Sequence, residues 1–306
     1  MHLARTEEQH ELAGVVMGLL DRHSDSSAVR AAAESGTYDI RLWRALCEQV
    51  GVAALPVPEG YDGVGASLVE TAVVLEEVGR NLAPAPLLAS ALAVTQLLLH
   101  GSEQERRDQL PGLAAGEVRP VQLGRVVLEP EQSTGSMDQT MRLALVDGAG
   151  DIPEDTRAVA LALISALQVG AMQRGLEMTV AYSQERVQFG RPIGSFQALK
   201  HRLAEMLVLV EASRSASWGA AGAAADHVGD PTPEREARLV RLASVAAGYC
   251  TEALAHVATE TVQLHGGIAM TWEHDAQLLL KRAHALNQLA GPAHLTRSRV
   301  LEARLI

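Results

Sequence analysis

Three stretches of this chain, residues 155–185, 195–227 and 233–264, each run for about thirty residues on helix-forming Ala, Leu, Arg, Gln and Glu with no proline past the first position. At roughly 1.5 Å per residue each makes a rod of about 45 Å. Rods of that length joined by short loops must lie antiparallel to bury their apolar faces, so the pattern specifies an antiparallel bundle. The third opens Asp230-Pro231-Thr232-Pro233-Glu234, with Thr232 as N-cap and Pro233 at the first helical position. Segments 273–285 and 288–304 read as further helices. The Ala-rich run 216–225 reads as a close helix contact.

The earlier part of the chain is helical on a smaller scale. Segments 6–22, 39–50, 67–80, 86–100 and 102–115 carry apolar residues at helical spacing, which gives an expectation of five helices. Ser67 with Glu70 forms a capping-box signature, and Pro56 to Gly65 reads as a loop. Residues 116–155 differ: Val121, Val126, Val127, Leu128, Leu143, Leu145 and Val146 sit among Gly, Pro, Asp and Ser. Some forty residues hold three or four short strands, too few to close a barrel. Aromatic residues make up only 3% of the chain, which also disfavours strand. The expected fold is mainly α in three parts: an N-terminal all-α domain at 1–115, a small β insert at 116–155 and a C-terminal four-helix bundle at 156–306.

Charge and cysteine usage narrow the function classes. Lys+Arg 26 against Asp+Glu 37 gives a formal net charge of −11, and no basic patch interrupts it, which argues against a nucleic-acid partner. Two cysteines, Cys47 and Cys250, make neither a disulfide framework nor a zinc site. Acidic residues Glu7 and Glu8 fall where a signal peptide would be apolar, and Leu87–Leu99 is too short to cross a bilayer. The expectation is a cytoplasmic protein without a membrane partner. HExxH, GxSxG and Walker A sequences are absent. Gly60, Gly63 and Gly65 lack dinucleotide-fold spacing. His256 and Glu260 sit one helical turn apart with no third ligand in view, which reads as a solvated pair rather than a metal site.

Two segments carry chemistry. The first, Glu185 to His201, contains Arg186, Gln188, Arg191, Gln197 and both phenylalanines of the chain, Phe189 and Phe196. It reads as a turn between long helices, with Gly190 as C-cap and Ser195 as the next N-cap. Two arginines, an aromatic ring and a helix N-terminus suit a phosphate-bearing ligand. The second segment is Gln263-Leu264-His265-Gly266-Gly267.

Together, R-x-Q-F-G-R-P-I-G-S-F-Q-A-x-K-H and the later Q-L-H-G-G resemble the acyl-CoA dehydrogenase family, and the resemblance extends over nearly the whole chain. It implies α,β-dehydrogenation of an acyl-CoA thioester, with a glutamate removing the α-proton and FAD accepting the hydride. It also implies FAD shared across a subunit interface, with one chain holding the ring and its neighbour the ADP end. On that analogy Arg186 would pair with the pyrophosphate. Phe189 would pack on the cofactor, and Gln188, Gln197 and Gln263 would complete the contacts beside Gly266 and Gly267.

The other half of the family pattern is missing. Leu128-Glu129-Pro130 with Gly135-Ser136 only faintly matches the family's flavin loop. The three tryptophans, Trp43, Trp218 and Trp272, leave none for the strand that covers the flavin. The two positions where the family carries its base fall on Ala290 and Ala160. The run Gly291-Pro292-Ala293-His294 at that turn resembles non-catalytic subunits of heteromeric actinobacterial acyl-CoA dehydrogenases of sterol side-chain degradation. The resemblance therefore implies an α2β2 heterotetramer whose partner supplies the base, most of the acyl-CoA site and half of a shared FAD site. The competing expectations are a self-sufficient flavoenzyme using Glu260 or Glu185 as base, and an inactive scaffold.

Overall fold

The computed structural model describes residues 5–131, 136–148, 150, 152–291 and 298. Helix α1 (Glu7–His23) opens on a capping box between Thr6 and Gln9, and α2 (Ser26–Ser35) is capped by Asp25 and closed by left-handed Gly36. Helix α3 (Ile40–Val50) leads through a 3-10 turn at Glu59–Tyr61 into α4 (Leu68–Arg80). Ser67 and Glu70 cap α4 reciprocally, as their spacing requires. Helices α5 (Leu87–His100) and α6 (Glu103–Ala114) follow. The first part thus holds six α-helices among the described residues, not five. The extra one, α2, carries only Val29, Ala32 and Ala33 to the core, an apolar stripe too thin to register as periodicity.

Strands β1 (Val121–Leu123), β2 (Val126–Leu128) and β3 (Leu143–Leu145) form one antiparallel sheet in that order. Val121 pairs with Leu128, and Leu128 with Leu143; this row is buried, while Leu145, two residues on along the same face, is exposed. Three strands of three residues leave no barrel among the described residues, as the length of the segment requires.

The bundle consists of α7 (Glu154–Glu185), α8 (Gln197–Gly229), α9 (Pro233–His265) and α10 (Asp275–Ala290). Thr232 accepts the Arg235 N–H at the start of α9. Ala220, Ala221, Ala223 and Ala224 are all buried, the close contact that their small size permits. α7 is the central rod: it packs on α4, α8, α9 and α10, and its residues 158–172 are all buried. It is also long and apolar enough to cross a membrane, but 89% of that apolar window is buried inside the fold, which is how a core helix reads. Residues 288–290 belong to α10 rather than to a separate helix. The rest of the expected 288–304 segment, with Pro292-Ala293-His294 and Gly135, lies outside the described residues apart from Gly291 and Ser298.

Candidate functional site

Between α7 and α8 the chain makes a small hairpin rather than a plain interhelical turn. Helix α7 ends on Arg186, whose extended backbone donates its N–H to the Tyr182 carbonyl at 2.9 Å. Strands β4 (Val187–Gln188) and β5 (Arg191–Pro192) then pair antiparallel, Val187 opposite Pro192 and Gln188 opposite Arg191. The two tip residues both have positive φ, 53° at Phe189 and 78° at Gly190. A two-residue hairpin needs that conformation, and glycine takes it freely. Gly190 is therefore a hairpin residue and not a helix C-cap. Ser195 ends a 3-10 turn, Ile193–Ser195, and the residue at the N-cap position of α8 is Phe196, without a side-chain capping bond.

The hairpin is almost wholly open to solvent. Phe189 is 92% exposed, although a phenyl ring is normally buried. Its ring meets Phe196 edge-on at 6.2 Å, and the Arg191 guanidinium lies 4.0 Å over the Phe196 ring. Arg186, Gln188, Arg191 and Gln197 are all exposed. Gln197 Nε2 donates to His201 Nε2 at 2.8 Å. Among the described residues, no intramolecular bond engages the guanidinium of Arg186 or the side-chain amides of Gln188 and Gln263.

The second segment closes α9. Gly266 ends the helix at φ 66°, ψ −146°, a combination open essentially to glycine alone. Gln263, Gly266 and Gly267 are exposed, and nothing lies within 4 Å of where a Cβ would stand on either glycine. Tyr182, one turn before the end of α7, stacks on His265 at 4.4 Å, which places both segments at the same end of the bundle. The sequence motifs missed this ring contact, because Tyr182 and His265 meet only once α7 and α9 pack. His265 is buried, and its Nδ1 donates to the Thr261 carbonyl at 2.7 Å. Burial holds it below the usual histidine value, as it does His274, where the neighbouring His265 adds to the effect.

The positions expected for a base lie elsewhere. Ala160 on α7 and Ala290 at the end of α10 are both buried, and a methyl group takes no proton. Glu260 Oε2 accepts from Arg202 Nε at 2.5 Å, and that bond holds its carboxyl below the usual range, which makes it a poor base. Among the described residues no group of three or more His, Cys, Asp and Glu side chains could hold a metal ion. None of the tryptophans lies in the β insert: Trp43 donates to the Gly116 carbonyl from α3, Trp218 is on α8 under Arg5, and Trp272 lies beside Lys281 just before α10.

Residues 6–117 match the family description "Acyl-CoA dehydrogenase, N-terminal domain", and residues 159–305 match "Acyl-CoA dehydrogenase, C-terminal domain". The chain belongs to the acyl-CoA dehydrogenase family. It is 43% identical over 319 aligned positions to acyl-CoA dehydrogenase IpdE2 of Mycolicibacterium smegmatis, spanning 94% of this chain and 96% of that protein. Among solved structures it superposes on a variant of the Tcur3481-Tcur3483 steroid ACAD with TM-score 0.82 and 25% identity, over 98% of each chain. The ChsE4-ChsE5 complex from Mycobacterium tuberculosis has the same fold, with TM-score 0.82 and 22% identity over 99% of this chain and 98% of that one. The fold is that of an acyl-CoA dehydrogenase with its middle β-domain reduced to the sheet β1–β3.

Proposed function

We propose that this chain is the non-catalytic subunit of a cytoplasmic, heteromeric, FAD-dependent acyl-CoA dehydrogenase, paired with a catalytic chain as α2β2. In this reading 1–115 and 156–306 are its two helical domains and 116–155 is what remains of the middle domain. One observation carries the proposal: an open cluster of exposed arginine, phenylalanine, glutamine and glycine residues stands at one end of the bundle, on a chain whose two base positions are buried alanines. A free guanidinium at Arg186 suits charged phosphate oxygens. The exposed Phe189 ring offers a stacking face, and Gln188, Gln197 and Gln263 offer amide donors and acceptors. The open space at Gly266 and Gly267 admits a ligand close to the backbone. These residues fit the ADP end of FAD. The middle domain, which on the resemblance would hold the flavin ring, is reduced among the described residues to the three short strands β1–β3.

The division of labour follows from those side chains. FAD, when bound, supplies the hydride acceptor for α,β-dehydrogenation. This chain's residues hold the phosphate and adenine end, while the partner brings the base, the flavin-ring pocket and most of the acyl-CoA site. Similarity to a steroid ACAD supports a sterol-derived acyl-CoA as the substrate class, and similarity to the ChsE4-ChsE5 complex supports a two-chain assembly.

Native mass and visible spectrum, taken on the chain alone and co-expressed with its partner, test the proposal. The expected result is a colourless lone chain and a yellow heterotetramer with two FADs. A lone chain that purifies yellow, with one flavin per subunit and turnover, overturns it.

A further inference from the structure

Three rings from separate parts of the chain meet at the gripping end of the bundle. Tyr182, in the last turn of α7, stacks on His265, the last residue of α9, with centroids 4.4 Å apart and planes 26° from parallel. His265 in turn meets His274, centroids 4.7 Å apart at 59°. Both histidine rings are also tied to the backbone. His265 Nδ1 donates to the Thr261 carbonyl, which fixes the ring along the helix axis and leaves Nε2 without the proton in the neutral form. His274 Nδ1 accepts the Ala276 N–H at 3.2 Å and so caps α10. The Tyr182 carbonyl accepts the Arg186 N–H that turns the chain out of α7.

Both gripping segments hang directly from this stack. Arg186 follows Tyr182 by one helical turn, and Gly266 follows His265 immediately. The hairpin itself is exposed and touches the bundle chiefly through its 3-10 turn at Ile193–Ser195, so it has little packing of its own to fix its distance from the α9 end. We infer that Tyr182 and His265 are positioning residues: their stack sets the separation between the Arg186 hairpin and the Gly266 turn to the span of one dinucleotide. The inference rests on the function proposed above. A grip divided between two helices binds one ligand well only if its halves are held in place before the ligand arrives.

The test uses the complex with the catalytic partner, with FAD affinity read by flavin fluorescence and turnover measured at saturating FAD. Tyr182→Ala is expected to raise the FAD Kd roughly tenfold, as loss of a supporting contact does, while kcat at saturating FAD and KM for the acyl-CoA stay unchanged. Tyr182→Phe, which keeps the flat ring, is expected to restore the parent Kd. If Tyr182→Ala does not assemble, Tyr182→Leu keeps apolar volume without the stacking face and carries the same expectation. A lower Tm with an unchanged Kd in the folded complex overturns the inference, because that is the signature of a merely structural ring. Arg186→Ala separates the two readings. If it weakens FAD and the Tyr182 variants do not, only the positioning role fails. If it leaves FAD binding unchanged, the proposed grip fails, and the positioning role with it.

Discussion

Arg282 Nε donates to Asp138 Oδ2 at 2.6 Å, with both side chains no more than 2% exposed. The guanidinium also donates to Thr140 Oγ1 and to the Leu82 carbonyl, and Asp138 Oδ1 accepts from the Thr140 hydroxyl and N–H. Arg282 lies on α10, while Asp138 and Thr140 lie between β2 and β3. One buried ion pair therefore fastens the reduced middle segment to the bundle and to the end of α4. Removing one partner leaves a buried charge without its counterpart. Asp138→Asn is expected to cost about 3–5 kcal/mol in urea unfolding of the lone chain and to speed amide exchange at 140–145. Replacement of both residues by apolar side chains of similar size should cost much less. Equal costs for the single and double variants would remove the pair from its anchoring role.

Glu129, one residue past β2, is held at φ 49° with its carboxyl turned into the fold and only 10% exposed. Arg142 Nη1 approaches its Oε2 only to 3.6 Å, and neither that oxygen nor Arg142 Nε has a hydrogen-bond partner. Burial pushes the carboxyl up to about 7. Because the folded value exceeds the unfolded one of about 4.3, the unfolded chain holds fewer protons at intermediate pH. Stability should therefore fall as pH rises from about 4.5 to 7 and level off above. Glu129→Gln is expected to flatten that limb and to stabilise the chain at pH 8 by about 3 kcal/mol. Urea midpoints measured across that range check it; a parallel shift of the whole profile would assign the effect to packing instead.

The bundle was legible in the sequence because long periodic segments and chemically explicit caps, such as Thr232-Pro233 and Ser67 with Glu70, carry their own local physics. The two motif segments stood out in the sequence, and the structure brings the exposed hairpin and the end of α9 to the same end of the bundle; their hold on a cofactor is the proposal made above. What stayed hidden has a common cause. The β4–β5 hairpin rests on two-residue strands, too short for any periodicity, so Gly190 and Ser195 read as ordinary caps. Arg282 with Asp138, and Tyr182 with His265, are far apart in the chain, and each pair exists only after helices pack. Arg282 even reads as a surface residue on α10, since arginine is almost never fully buried unless paired.

His274 gives the chain an acid-sensitive point of the opposite slope. Its Nδ1 must be unprotonated to accept the Ala276 N–H that starts α10. Burial, then His265, and to a lesser degree Arg30 and Arg174 lower its affinity for a proton, against the favourable charge of Asp275. With the folded value below the unfolded one, about 6.5, the unfolded chain binds more protons as pH drops. Stability should accordingly be whole above that point and decline as pH falls through the folded value. His274→Asn keeps a capping oxygen and removes the titration. Its urea midpoint is expected to match the parent at pH 7.5 and to exceed it at pH 5.5. An unchanged difference between the two pH values would exclude His274 as the origin.

Phe189 should separate the needs of the fold from those of the assembly. In the lone chain its ring is 92% exposed, so little apolar burial is lost when it goes. Its left-handed backbone, φ 53°, is unfavourable for an aromatic residue and well tolerated by asparagine, by about 1 kcal/mol. The sequence Asn-Gly is also what a two-residue hairpin prefers. Phe189→Asn is therefore expected to raise the stability of the isolated chain slightly and to lower flavin retention by the two-chain complex, read as absorbance near 450 nm per heterodimer after gel filtration. A residue kept at a cost to its own fold is one whose benefit lies outside it. If stability and flavin retention moved in the same direction, the ring would be serving the hairpin rather than the cofactor.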